Sequence, residues 1–76
     1  MNKFYYGRTT KKKIMLPEEW ETEVDMLSVS ISLTHAGAYQ GLRVKRHQGR
    51  EILVETNGMP PDYYYLIVGK ILDKDA

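Results

Sequence analysis

The stretch Tyr63-Tyr64-Tyr65-Leu66-Ile67-Val68-Gly69-Lys70-Ile71-Leu72 constrains this chain more than any other. β-branched and aromatic residues at such density favour a pleated strand, in which neighbouring side chains point to opposite faces. One face then carries Tyr63, Tyr65, Ile67 and Ile71, with a gap at Gly69; the other carries Tyr64, Leu66, Val68, Lys70 and Leu72. Both faces are apolar, so the strand needs cover on two sides. A chain of 76 residues has little material to supply it. Domains this small bury a modest share of their surface, and many depend on disulfides, metals or association. Cysteine is absent, which excludes disulfides and thiolate metal sites. Association is what remains.

The length allows one domain over residues 1–76. A formal net charge of +1 does not by itself imply a polyanionic partner. No apolar run approaches the roughly 18–20 residues that span a bilayer. Met1-Asn2-Lys3-Phe4-Tyr5-Tyr6 lacks the apolar core of a secretory signal. A cytoplasmic protein with no membrane partner is expected. The charges are nevertheless blocked: Lys3, Arg8, Lys11, Lys12 and Lys13 precede any acid, and Glu18, Glu19, Glu21, Glu23 and Asp25 follow with no intervening base. Such blocks fit pairing within the chain, pairing between copies, or two solvated loops.

Taken in order, Phe4-Tyr5-Tyr6 reads as a short edge strand ended by Gly7, and Thr9 to Leu16 as a second, stopped by Pro17. Pro17-Glu18-Glu19-Trp20-Glu21 suits one helical turn, with proline at its first position and acids at the positive end of the dipole. Burial preference makes Trp20 a lid on the core. Asp25 to Leu33 alternates most clearly: Leu27, Val29, Ile31 and Leu33 on the core face, Ser28, Ser30 and Ser32 on the other. Residues 34–41 form a loop rich in small residues. Leu42 to Thr56 reads as a hairpin. A three-residue loop, Gln48 to Arg50, sets Arg46 opposite Ile52, Val44 opposite Val54 and Leu42 opposite Thr56. The other face then pairs His47 with Glu51 and Arg43 with Glu55, which makes this loop preferable to a two-residue one at Gln48-Gly49. Asn57 to Asp62 is a turn and stiff spacer, and the tail Asp73 to Ala76 is expected to fray. Five or six short strands separated by such turns make an all-β fold, a small antiparallel barrel or a compact sandwich.

Catalysis finds little support in these residues. His35 and His47 stand at no recognised ligand spacing from a carboxylate, and surface positions are expected for both. The alternating serines mark the solvent face of a sheet, and no glycine loop cradles a phosphate. No enzyme activity, metal or cofactor is expected. Two non-catalytic readings stand. In one, Lys11, Lys12, Lys13, Arg43, Lys45 and Arg46, together with the tyrosines, bind single-stranded nucleic acid as small β-barrels do. Against it, the cations are nearly balanced by acids, whereas nucleic-acid domains are usually basic. In the other, Tyr63, Tyr64, Tyr65, Leu66 and Val68 bury at a subunit contact, supported by Phe4, Tyr5 and Tyr6, in a homo-oligomer or against other protein subunits. Either the Tyr64/Leu66/Val68 face meets its symmetry copy, or the N-terminal segment adds to a neighbour's sheet edge.

The terminal words Asp62-Tyr63-Tyr64-Tyr65-Leu66-Ile67-Val68-Gly69-Lys70-Ile71, with their turn-and-proline lead-in from Asn57, resemble the ends of small β modules in bacteriophage virion and tail-associated proteins. The resemblance implies a non-catalytic, oligomeric particle component, placed in a virion if phage-encoded. Such modules work by shape and assembly, so it carries over no functional residues. It favours the structural reading over the nucleic-acid one.

Overall fold

The computed structural model of the chain describes residues 1–72; the tail over 73–76, expected to fray, lies outside them. The elements run β1 (Asn2–Thr9), β2 (Lys13–Met15), α1 (Trp20–Glu23), β3 (Val24–His35), β4 (Arg43–Gln48), β5 (Glu51–Glu55) and β6 (Tyr63–Ile71). They form two antiparallel three-stranded sheets, β1-β6-β3 and β2-β5-β4. The fold is therefore all-β, a small sandwich. The aromatic terminal strand takes the centre of its sheet, flanked by β1 and β3. A twelve-residue strand such as β3 spans roughly 40 Å, which accounts for a long axis of 46 Å against 19 and 16 Å.

One core joins the sheets. Ile14, Leu16, Ile52 and Val54 from the β2-β5 side meet Trp20, Val24, Tyr63 and Ile67, all buried. Alternation along β6 sends Tyr63, Tyr65 and Ile67 to this side, and Gly69 leaves the expected gap. Trp20 fills it: a Cβ at Gly69 would collide with Val24 and stand 3.1 Å from the Trp20 ring. Trp20 is thus the lid its type suggests, 1% exposed. The expected helical turn lies further along than Pro17 to Glu21: α1 starts at Trp20 with Glu19 as its N-cap. Pro17 stands ahead of it in the lead-in turns, where Trp20 N donates to Pro17 O at 3.0 Å and Glu21 N to Glu18 O at 3.1 Å. The strand-blocking role of Pro17 and the capping of the core by Trp20 are one local device.

Four further expectations need correction. First, β1 does not end at Gly7 but runs to Thr9, because Gly7 makes room for the Tyr65 ring: its missing Cβ would lie 2.8 Å from Tyr65 Oη. Second, β2 is only Lys13–Met15; Thr9 pairs with Tyr63 in the other sheet, so the chain crosses between sheets over 10–12. Third, Leu27 is not in the core but 99% exposed. The β3–β6 register breaks between Asp25 and Ser30, and such a bulge turns the residues inside it out of the alternating pattern. Within it Leu27 N donates to Asp25 Oδ1, and Ser28 Oγ accepts from Lys70 N.

Fourth, the β4–β5 hairpin turns through two residues, Gly49-Arg50, with Gln48 opposite Glu51, His47 opposite Ile52 and Arg46 opposite Leu53. Gly49 takes φ +57°, the positive value that a two-residue hairpin of this kind asks of its first central residue. A bulge at Lys45 then removes one residue, and the expected pairs Val44–Val54 and Arg43–Glu55 are restored beyond it. The three-residue register is right far from the turn and wrong near it. Arg50 explains the preference: its guanidinium donates to Leu16 O at 3.2 Å and to Glu21 Oε1 at 3.0 Å. Those bonds tie the hairpin tip to β2 and α1.

Candidate interaction surface

Pairing register places the outward side chains of β1, β6 and β3 in rows. Phe4, Val68 and Ser30 form one; Tyr6, Leu66 and Ser32 the next; Arg8, Tyr64 and Thr34 a third. The β1–β6 half of this face is apolar and open. Tyr6 is 75% exposed, Phe4 57%, Tyr64 49% and Leu66 42%, with Val68 half-buried between its neighbours. The β3 half is a stripe of exposed hydroxyls, Ser30, Ser32 and Thr34. Scattered exposed apolar residues are ordinary, but a contiguous block on one face is a mark of contact sites.

The block has polar ends. At one, Arg8 Nη2 meets Asp62 Oδ2 at 2.8 Å and Arg8 Nε meets Oδ1 at 2.9 Å, a two-pronged pair. The same guanidinium lies 5.4 Å from the Tyr64 ring centroid, within the range of a cation–π contact. It holds that exposed ring in place, a role that no feature of the local sequence signalled. The hydrogen bond from Arg8 keeps the Asp62 carboxyl below its ordinary range. At the other end stands Lys70, paired in register with Asn2.

The sequence-assigned interface residues therefore divide. Phe4, Tyr6, Tyr64, Leu66 and Val68 share the outward face. Tyr63, Tyr65 and Tyr5 do not. Tyr63 is fully buried within its own chain, its hydroxyl donating to Lys11 O at 2.6 Å. Tyr5 and Tyr65 pack at 5.6 Å between ring centroids, and Tyr5 meets Trp20 edge-on at 6.5 Å. These three point inward because β1 and β6 are in register: Tyr5 opposes Ile67 and Gly7 opposes Tyr65. Burial pushes the Tyr63 hydroxyl up to about 12, and burial also raises Tyr65.

Of the six cations of the nucleic-acid reading, Lys13, Arg43, Lys45 and Arg46 fall on the β2-β5-β4 sheet, and Lys11 and Lys12 lie in the crossing between the sheets. Lys13 lies 3.3 Å from Glu51, Arg46 lies 3.8 Å from the same carboxylate, and Arg43 lies 3.1 Å from Glu55. Lys11, Lys12 and Lys45 are exposed. The open rings belong to the other sheet, whose outward face points away from this one across the shared core. His35 stacks on Tyr39 at 4.8 Å, and His47 Nε2 lies 2.9 Å from Gly49 O, so each histidine serves its own loop. Among the described residues there is no cluster of three or more metal-ligating side chains, and no helix long and apolar enough to cross a membrane. No family model matches the chain, and neither a curated protein nor a solved structure matches it.

Proposed function

We propose that this protein is a non-enzymatic structural or adaptor module that acts by protein–protein assembly, with the outward face of β1-β6-β3 as its contact. One observation carries the reading. Phe4, Tyr6, Tyr64 and Leu66 lie in successive rows of a sheet and stay open, while the alternate residues of the same strands are already covered by the chain's own core. Tyrosine and phenylalanine supply large contact area with few rotors, which suits an interface centre. The polar ends at Arg8–Asp62 and Lys70 suit its rim. The resemblance of the terminal strand to phage virion and tail-associated modules supports a particle component, in the cytoplasm before assembly or in the virion afterwards.

Light scattering coupled to gel filtration tests this. The wild type is expected to associate at micromolar concentration, Tyr64→Ser with Leu66→Ser to weaken that association, and Lys12→Ser to leave it unchanged. Association unaffected by the face variant removes this face from the contact. The alternative, single-stranded nucleic acid bound through Lys11 to Lys13 and the β4 cations, draws less support, since Lys13 and the β4 cations lie on the opposite sheet from the open rings. Titration with short oligonucleotides across a salt series separates the two: steeply salt-weakened binding favours the alternative.

A further inference from the structure

The sandwich has four sheet edges, and three carry charged guards. β1 bears Lys3, tied to Glu23, and Arg8, tied to Asp62. β2 is only three residues long and follows Lys11 and Lys12. β4 bears Arg43, Lys45 and Arg46 and is bent by the bulge at Lys45. Short length, cations and bulges are the devices that keep an edge from pairing with another chain. β3 has none of them beyond its bulge. From Met26 to Thr34 it contains no charge, no proline and no glycine. Past Ser30 it pairs regularly with β6 on one side, and among the described residues no other element donates or accepts a backbone hydrogen bond along its other side. A regular, uncharged, unpaired edge of this length is a template for strand addition.

We propose that this edge pairs antiparallel with β3 of a second copy, joining two β1-β6-β3 sheets into one of six strands about a two-fold axis. The alternation of β3 makes it self-complementary. With the axis near Ser32, Ser32 faces Ser32 of the other copy, Ser30 faces Thr34, and Ile31 faces Leu33. Hydroxyls then meet hydroxyls on the outward face and aliphatic side chains meet on the inward one, where Ile31 and Leu33 are only partly covered within the monomer. No like charges are brought together. The proposal deepens the assembly reading and rests on it for the nature of the partner, yet it uses an edge, not the aromatic face. The two contacts are therefore separable.

Ser30 and Ser32 are exposed, so charged substitutions there leave the monomer fold intact, as circular dichroism would verify. S30K/S32K and S30E/S32E are each expected to dimerise about tenfold more weakly than wild type, through like charges placed across the axis. An equimolar mixture of the two is expected to recover a heterodimer, and Tyr64→Ser with Leu66→Ser to retain the edge dimer. Amide exchange along Ser30 to Thr34 should slow as wild-type concentration rises. The proposal is overturned by a wild type that stays monomeric to high micromolar concentration, by charged variants that dimerise like wild type, or by a mixture that recovers nothing. Loss of association in the face variant alone would instead leave the face contact standing and remove the edge.

Discussion

The indole of Trp20 lies against the backbone of Gly69, 3.1 Å from the point where a Cβ would sit. Gly69 has an ordinary strand conformation, so its smallness, not its flexibility, is what the site requires. Gly69→Ala should destabilise by about 1–3 kcal/mol, the usual cost of overpacking, read as a lower midpoint in denaturant. Because the added methyl would also strike Val24, Val24→Ala should partly offset the loss when the two are combined. Strict additivity would show that the contact is not what constrains this position.

The buried Tyr63 hydroxyl gives the fold an alkaline limit. Its folded value is about 12 against an ordinary 10.0, so the native state holds this proton where the unfolded chain releases it. Stability contributed by the neutral phenol is complete below pH 10 and declines as pH climbs towards 12. Tyr63→Phe should flatten that decline, as followed by phenolate absorbance and by melting temperature. It should also cost about 1–2 kcal/mol at neutral pH, since Lys11 O loses its donor.

At the acid side the sign reverses. Hydrogen bonds from Arg8 and Arg43 hold Asp62 and Glu55 below their ordinary carboxylate values. The stability these pairs add is present above the unfolded values and fades as pH falls through the lower folded ones. Carbon-detected titration should show Glu55 returning to the ordinary range in Arg43→Gln and Asp62 doing so in Arg8→Gln. Both pairs are solvent-exposed, so raised salt should shrink the effect.

Leu27 gives a test of the bulge. Leu27→Ser is expected to change monomer stability by less than about 0.5 kcal/mol, whereas Ile67→Ala in the buried core should cost about 2–5 kcal/mol. A large loss at Leu27 in the isolated monomer would mean the strand keeps its alternation through 25–30.

Much of this architecture was legible residue by residue. The apolar terminal strand, the alternation of Val29, Ile31 and Leu33, the lid role of Trp20 and the Gly69 gap all follow from side-chain type and period two. What escaped were the positions at which one strand answers to another. Leu27 fits its alternation perfectly and is turned out by a mismatch with β6. The hairpin tip shifts by one residue, and there Arg50 reaches Leu16 and Glu21, some 30 positions away in sequence.

Pattern alone determined that the last strand has two apolar faces and that one molecule must struggle to cover both, because alternation is a property of the backbone itself. Only the tertiary structure decided which face is covered. The second sheet and Trp20 arrive on the Tyr63, Tyr65 and Ile67 side, and Tyr64 and Leu66 are left exposed, with the Arg8 guanidinium beside the Tyr64 ring. That choice depends on strands brought together from opposite ends of the chain, so no local stretch of sequence contains it.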